Sequence, residues 1–361
     1  MRLPSRRALL AACALAPFAR PTLATVSFPR VVPETISFPR DHGAHPDYRI
    51  EWWYLTGVLD DADGAPLGMQ VTFFRVRTSI DPANPSRFAA HQLVFAHAAL
   101  ADPARSSLLV DQQIARAGSS AVRLAETDMD VELNRWRFAR RGNGRYECDV
   151  AARSFRLHFT ATPSQPVLLQ GRDGFFPKQA AGEYASHYYS VPQLRIEAEI
   201  VREERERTAR GIAWLDHEWA STLIEPDAIG WDWIGMNLDD GTALTAFQTR
   251  RKGDDAILFA YASMRASGAT QPQIYAPERV RFEALTHWES PRTHARYPIA
   301  QRITVGDRVF ETRPLFADQE LDARVTGSAI YWEGASSLEE NGRRVGRGYL
   351  EMTGYAEPLT L

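Results

Sequence analysis

Lysine, cysteine and long apolar runs are scarce in this chain. The scarcity of cysteine argues against a fold held by disulfides, and the lack of long apolar runs argues against a membrane-spanning helix. The 361 residues include only two lysines, Lys178 and Lys252, and two cysteines, Cys13 and Cys148. No apolar run reaches the length of about 18 residues that a membrane-spanning helix needs. If the N-terminal segment that contains Cys13 is removed, no internal disulfide can form. The folded state must then depend on a buried core.

Cys148 fits a buried structural thiol better than a nucleophile. Its neighbours Glu147 and Asp149 are acidic, and nearby negative charge disfavours a thiolate. The sequence also lacks the zinc-protease pattern HExxH, paired CxxC motifs, the Gly-x-Ser-x-Gly elbow and the Walker phosphate loop. We therefore expect neither a metal nor another cofactor.

Residues 1–24 have the three-part pattern of a secretory signal. A start rich in arginine (2–7) precedes an apolar run (8–15), and small residues follow at 22–24, where a signal peptidase would cut. The paired arginines also resemble a twin-arginine signal. We do not expect a lipoprotein anchor at Cys13, because the apolar stretch before it is too short. The sequence thus predicts an exported, periplasmic protein.

The charge balance disfavours two classes of partner. The chain has 45 acidic residues against 42 lysines and arginines, a formal net charge of −3. Loss of residues 1–24, which carry four arginines and no acidic residue, makes that charge −7. A surface of this sign repels nucleic acid and anionic membranes. We predict neither as a partner, and no membrane span.

Short segments of alternating polar and apolar residues dominate the rest of the chain. Residues 52–59 read as a strand that ends in a turn rich in aspartate and glycine, and 231–238 repeat that arrangement. Many short strands without alternating helices indicate barrels or sandwiches. We place a boundary in the loop 221–230, which predicts an N-terminal domain over 25–221 and a C-terminal domain over 222–361.

The segment 211–221 holds the strongest candidate chemistry. If it is a strand, Asp216 and Glu218 share one face, while His217 and Trp219 share the other. Two acids at this spacing lie about 7 Å apart and can couple their titration. Together with a histidine beside a tryptophan, they could perform general acid–base catalysis. The alternative is that these groups pair internally and brace two domains.

A second aromatic cluster, at residues 51–54, leaves the same choice open. Glu51 shares a strand face with Trp53, while Trp52 and Tyr54 point the other way. Buried tryptophan and tyrosine carry polar groups that need partners, so these side chains could bind a ligand. They could equally close the end of a barrel.

Further candidates lie on other predicted strands. Asp232 shares a face with apolar residues, so it should be paired or have a raised pKa. Tyr188 and Tyr189 could orient a ligand or pack as plain aromatic core. Arg75 and Arg77 share a face, which suggests one surface stripe. The tryptophans on either side of Asp232 complete the binding candidates, Trp231 and Trp233.

Several of these motifs together resemble the AttH-like family. The motifs are residues 51–54, 188–190, 214–219, 230–233 and 239–241, with 346–355 matching the C-terminal end. Members are often labelled secreted hydrolases and are related to carotenoid 1,2-hydratases (hydroxyneurosporene synthases). The resemblance runs from about residue 40 to the C-terminus. It implies an all-β fold of two packed lipocalin-like (calycin) β-barrels with a hydrophobic cavity.

The resemblance also implies roles for single residues. In the carotenoid hydratases, a histidine and a tryptophan of an Asp-His-x-Trp motif are assigned to the active site, and they match His217 and Trp219. Those enzymes carry an acid on a later strand that protonates a C=C bond. The matching segment here, 244–250, has no acid. A proton donor would then have to be Glu218, Asp232 or Asp216.

Two functions remain open on the sequence. The first is an enzyme of hydratase, hydrolase or isomerase type, which acts by acid–base chemistry on a hydrophobic, polyene- or lipid-like small molecule. The second is a non-catalytic periplasmic carrier of such a molecule, associated with an ABC transport system. The catalytic candidates are His217, Glu218, Asp216 and Asp232. The substrate-binding candidates are Trp219, Trp52, Trp53, Tyr54, Tyr188, Tyr189, Trp231, Trp233 and Glu51.

Overall fold

A computed structural model describes residues 26–179, 184–327 and 329–359 of the chain. The predicted signal segment 1–24 and Cys13 lie outside the described residues. In the described residues, helix is confined to three single 3₁₀ turns, Arg40–His42, Pro277–Arg279 and Arg324–Thr326. Within these ranges no helix is long and apolar enough to pass through a bilayer.

The N-terminal half of the described chain forms one antiparallel sheet. Its strands are β1 (Ile50–Asp61), β2 (Pro66–Arg77), β3 (Gln92–Asp102), β4 (Ser107–Arg116), β5 (Val122–Leu124), β6 (Asp130–Leu133), β7 (Trp136–Arg140), β8 (Tyr146–Ala151), β9 (Arg156–Pro163), β10 (Leu168–Leu169), β11 (Phe175–Pro177), β12 (Ala185–Arg202) and β13 (Arg205–Ala220). They follow the order β4-β3-β2-β1-β13-β12-β9-β8-β7-β6-β5, and β10 and β11 add to β12. This sheet curls into a nearly closed barrel, called barrel 1 below.

The C-terminal half forms a second antiparallel sheet. Its strands are β14 (Ala228–Leu238), β15 (Ala243–Arg251), β16 (Ile257–Arg265), β17 (Gln273–Tyr275), β18 (Val280–Glu289), β19 (Arg296–Val305), β20 (Arg308–Pro314), β21 (Glu320–Asp322), β22 (Ile330–Glu340) and β23 (Arg343–Thr353). Their order is β17-β16-β15-β14-β23-β22-β20-β19-β18, with β21 on β22. We call this more open half-barrel barrel 2.

The predicted all-β fold with two lipocalin-like barrels is confirmed. The change of sheet falls between Ala220 and Ala228, inside the loop that we expected to separate two domains. The division into domains 25–221 and 222–361 stays a prediction. Cys148 is fully buried in the core of barrel 1, and burial raises the pKa of its thiol well above the usual value. The expectation of a structural thiol is thus confirmed.

The chain before β1 is tied into barrel 1 by buried hydrogen bonds. The indole of Trp53 donates to the carbonyl of His42 at 3.0 Å, and the His42 ring lies 2.7 Å from the Tyr189 hydroxyl. Arg75 donates to the carbonyl of His45 at 2.8 Å. Side chains from three strands of the barrel thereby hold this segment, residues 40–49, in place.

The two barrels meet face to face. Gly68 on β2 permits the approach, because a Cβ there would lie 2.6 Å from the Ala335 side chain of barrel 2. Direct hydrogen bonds cross the interface, such as the one from the Gln193 backbone N–H to the Asn237 side chain at 2.7 Å. The outer faces of β1, β12 and β13 consequently look towards barrel 2, and an aromatic cluster fills the contact.

Candidate active site

The strand β13 separates its functional side chains onto two faces, as strand alternation predicts. Asp216 and Glu218 line a cavity between the barrels. His217 and Trp219 are buried on the other face, which points into barrel 1. The cluster named from the sequence therefore belongs to two separate environments.

The register of barrel 1 brings one set of polar groups together on the cavity face. Asp216 pairs with Tyr54 of β1 on one side and with Ser190 of β12 on the other. Glu218 pairs in the same way with Trp52 and Tyr188. Because directly opposed residues in an antiparallel sheet share a face, these side chains form two adjacent rows.

The opposite wall of the cavity comes from barrel 2. Trp233 of β14 pairs with Glu351 of β23, which pairs with Glu333 of β22. On its other side, Trp233 pairs with Phe247 of β15. One row that crosses several strands thus carries aromatic side chains at one end and the two acids at the other.

The cavity has a volume of about 400 Å³, which is near the lower end of the range for sites that hold a drug-sized molecule. Aromatic side chains supply much of its wall: Trp52, Tyr54, Phe74, Phe95, Phe176, Tyr188, Trp231, Trp233, Phe247, Tyr261 and Tyr331. The predicted binding candidates Trp52, Tyr54, Tyr188, Trp231 and Trp233 are among them. This composition suits an apolar ligand held between flat aromatic faces.

Asp216 is the best-supported acid of the cavity. Its carboxyl accepts hydrogen bonds from the Tyr188 hydroxyl at 2.9 Å, the Ser190 hydroxyl at 2.5 Å and the Trp214 indole at 2.7 Å. Burial raises the pKa of Asp216 to about 7, although the three donors act in the opposite direction. A carboxyl with this pKa can deliver a proton near neutral pH.

Glu218 is already paired. The Lys178 ammonium lies 2.5 Å from its carboxylate and 5.1 Å from the centre of the Trp52 ring. Lys178 also donates to the carbonyl of Leu223 at 3.0 Å. Glu218 is therefore less available as a proton donor than Asp216, its neighbour on the same strand face.

Two further acids of the cavity, Glu333 and Glu351, were missed from the sequence. Burial raises the pKa of Glu351 to about 8, and the Trp231 indole donates to it at 3.1 Å. Burial and the adjacent Glu351 raise the pKa of Glu333 well above its ordinary value. Each acid has an aromatic residue two positions before it, at Tyr331 and Tyr349. The sequence did offer one signal for this pair: each glutamate lies on a strand whose two faces are otherwise largely apolar.

On the inner side of β13, His217 belongs to a hydrogen-bonded cluster around Glu51. The carboxylate of Glu51 lies 3.0 Å from the His217 ring, 2.7 Å from the His45 ring and 2.8 Å from the Arg75 guanidinium. Burial alone would raise the pKa of Glu51, but Arg75 and the two histidines hold it well below the usual value. Burial lowers the pKa of His217.

The rings of this cluster are fixed by aromatic stacking. Trp219 stacks on His45 with ring centres 3.8 Å apart, and Trp53 stacks on His217 at 4.8 Å. Ligand atoms of His45, Glu51 and His217 lie within 4.8 Å of one another, a spacing that could hold a metal ion. The Arg75 guanidinium already neutralises Glu51 there, and its charge opposes a second cation. We therefore interpret the cluster as a structural network.

The remaining candidates lie away from the cavity or at its edge. Tyr189 contacts the rings of His42 and His217 inside barrel 1. Asp232 points into barrel 2, where it accepts hydrogen bonds from Gln248 at 2.6 Å and from Tyr355 at 2.9 Å. The expectation that Asp232 is paired is confirmed.

Arg75 corrects one sequence expectation. It is fully buried on the Glu51 carboxylate, so Arg75 and Arg77 do not form one surface stripe. The prediction failed because strand alternation shows which residues share a face but not whether that face is covered. Here the chain before β1 covers it, and both Arg75 and Glu51 also reach the edge of the cavity between the barrels.

Two packed lipocalin-like barrels around an acidic, aromatic cavity define the structural class, and comparison with known proteins gives the family. The AttH-like family model matches residues 29–355, and the chain belongs to this family. A crystal structure from Nitrosomonas europaea, assigned as AttH, has 46% sequence identity and a TM-score of 0.85, covering 91% of this chain and 99% of that one.

A more distant structure has the same fold. Kievitone hydratase from Nectria haematococca has 13% identity and a TM-score of 0.64, covering 91% of this chain and 98% of its own. At this identity the likeness concerns the fold alone. No match is found among curated proteins.

Proposed function

We propose that this protein is an exported enzyme of hydratase type that adds water across a C=C bond of a hydrophobic small molecule. The observation that carries the proposal is Asp216, a buried carboxyl with a pKa of about 7 at the wall of an aromatic cavity. The fold shared with kievitone hydratase agrees with this reaction class. The predicted signal segment supports export to the periplasm.

The proton of Asp216 would move to one carbon of the double bond, which leaves a positive charge on the other. The aromatic faces of Trp231 and Trp233 could stabilise that charge. A water molecule then adds to the cationic carbon, and its surplus proton passes back to Asp216, which is the carboxylate left by the first step. The balance is one alkene and one water consumed, and one alcohol formed.

The cavity favours this reaction over covalent hydrolysis. Among the described residues, its wall contains no serine, cysteine or histidine side chain. Nucleophilic hydrolysis of the serine or cysteine type needs a serine or cysteine nucleophile beside a base such as histidine. Carboxyls, tyrosines and Lys178 are what the wall offers instead. These groups transfer protons and can activate water.

The size of the cavity indicates a substrate class. A volume of about 400 Å³ accommodates a compact molecule such as a prenylated phenol or a short isoprenoid alkene. A long polyene would have to leave most of its length outside the mouth. We therefore infer a compact substrate with one reactive alkene.

The cluster of Glu51, His45 and His217 has a positioning role in this proposal. His217 precedes Glu218 and follows Asp216 on β13, so its hydrogen bond to Glu51 fixes the backbone that presents both acids. It is not placed to touch a ligand in the cavity between the barrels. Among the described residues the cavity wall includes Asp216 and Glu218 but not His217.

The experiment is incubation of the purified protein with a panel of short isoprenoid alkenes and prenylated phenols in H₂¹⁸O, followed by mass spectrometry. The proposal predicts a product that gains one water and carries ¹⁸O, with wild-type protein but not with Asp216→Asn. If no panel member reacts although several bind in the cavity, the hydratase proposal is refuted. Binding without turnover would then favour the carrier function, associated with an ABC transport system.

A further inference from the structure

The barrel-2 wall of the cavity carries two acids without a cation. The described residues place no arginine, lysine or histidine within ion-pair distance of Glu333 or Glu351. Glu333 is 3% exposed, and its Oε1 has no hydrogen-bond partner among them. Glu351 is held by one neutral donor, the Trp231 indole. The other two acids of the cavity differ: Glu218 has Lys178, and Asp216 has three donors.

A hydroxyl from the opposite wall faces this pair of acids. The Tyr54 side chain is buried, lines the cavity from barrel 1 and interacts with the Glu333 carboxyl, and burial and this contact raise the pKa of Tyr54. Neither the Tyr54 hydroxyl nor the Glu333 Oε1 has a partner of regular hydrogen-bond geometry among the described residues. Buried polar groups are normally satisfied, so this contact between the two walls leaves Glu333 open to a cation as a further partner.

The chemistry around this position is that of a cation site. Trp233 pairs directly with Glu351 in the sheet, and the Trp231 indole touches its carboxylate. Positive groups bind well where carboxylates and aromatic faces meet. The barrel-1 wall gives an internal example, since the Lys178 ammonium lies between the Glu218 carboxylate and the Trp52 ring.

We propose that the cavity contains a binding site for an organic cation, an ammonium group on an apolar body, between Glu333 and Glu351 and against Trp231 and Trp233. The apolar body would occupy the aromatic part of the cavity, beside Phe176 and Phe247. The site uses the cavity of the proposed function but requires no turnover. Its success or failure is therefore separate from that of the hydratase proposal.

Binding of a permanent cation should release protons. The raised pKa values of Glu333 and Glu351 mean that the empty site holds protons at neutral pH, and a bound cation favours the ionised carboxyls. The other titratable groups that interact with this pair are Tyr54, Asp216, Glu218, Tyr331 and Tyr349. Affinity for the cation should accordingly increase as the pH rises from 6 to 8.

The test compares benzyltrimethylammonium with neopentylbenzene, a neutral molecule of the same shape. Ligand-observed NMR with the full-length protein tolerates the low solubility of the neutral compound. The cation should bind at least about tenfold more tightly, a ratio that corresponds to about 1.4 kcal/mol. Equal affinity for the two compounds would overturn the inference.

Variants locate the site. Glu333→Gln combined with Glu351→Gln keeps the shape of both side chains and should remove the preference for the cation, while affinity for neopentylbenzene stays within about twofold. The matched control is Glu339→Gln on the same strand β22, where Glu339 pairs with Arg313. Retention of the full preference by the double variant, with its folding verified by circular dichroism, would contradict the proposal.

Discussion

Glu333 on β22 and Glu351 on β23 stand directly opposite one another in adjacent antiparallel strands. Opposed side chains of this kind have Cβ atoms about 5 Å apart, and two carboxylates at that spacing, one buried and one half-buried, repel each other. Since burial also disfavours the charged forms, the pair retains protons at neutral pH. It provides the cavity with acids that the sequence did not reveal.

Stability should fall with rising pH because of Glu351. Its folded pKa of about 8 lies above the usual unfolded value, so the folded state binds more protons between pH 4.5 and 8 and loses stability across that window. Glu351→Gln removes this loss. Denaturant unfolding should show the variant more stable than wild type by about 1–3 kcal/mol at pH 8, with the difference shrinking at pH 5.

Glu339→Gln serves as the control for that comparison. Glu339 lies on β22, the strand next to that of Glu351, and its side chain pairs with Arg313 near the surface. Surface pairs contribute about 0–1 kcal/mol. A Glu351→Gln variant whose stability difference from wild type is the same at pH 5 and pH 8 would show that this carboxyl titrates normally in the folded state.

The Lys178–Glu218 pair should behave as a buried ion pair. Lys178→Met leaves the Glu218 carboxylate without its cation, at a cost of about 3–5 kcal/mol in the free energy of unfolding. The double variant Lys178→Met with Glu218→Gln should regain most of that loss, because it removes the unpaired charge as well. A double-mutant cycle from urea unfolding measures the coupling, and strictly additive effects would be inconsistent with the pair.

The cluster around Glu51 should make the protein sensitive to acid. The pKa of Glu51 is lowered well below its ordinary value, so its stabilising contribution is present above the unfolded pKa of about 4.3 and is lost as the pH falls below it. Arg75→Met should cost about 3–5 kcal/mol at pH 7. It should also increase amide hydrogen exchange at residues 40–49, since Arg75 donates to the carbonyls of His45 and Tyr48.

If amide exchange over residues 40–49 is unchanged in Arg75→Met, then Arg75 does not hold this segment against the Glu51 cluster, and the prediction is wrong. Arg77→Met is the matched control, because Arg77 is partly exposed and its guanidinium donates to the carbonyl of Asp47 at 2.9 Å in the same segment, away from the Glu51 carboxylate. That variant should change the free energy of unfolding by less than about 1 kcal/mol.

Local sequence patterns predicted an all-β fold of barrels or sandwiches and half of the site, while the two lipocalin-like barrels came from the family resemblance. Alternation along β13 correctly separated Asp216 and Glu218 from His217 and Trp219, because that property depends only on the strand period. Glu333 and Glu351 escaped because their role depends on β22 lying beside β23 and on barrel 2 facing barrel 1. Arg75 was misjudged for a similar reason, since its cover comes from the segment before β1. Contacts between segments that are distant in the sequence cannot be predicted from the local pattern of either segment.

The most direct test of the account compares two substitutions on opposite faces of β13, using the panel alkene with the highest conversion. Asp216→Asn should lower kcat/KM by about 10²–10⁴-fold, whereas His217→Gln, which keeps a donor for Glu51, should lower it less than tenfold. Wild-type kcat/KM should fall as the pH rises through about 7, the pKa of Asp216. Full activity in Asp216→Asn, with loss of activity in His217→Gln, would place the chemistry inside barrel 1 and contradict this account.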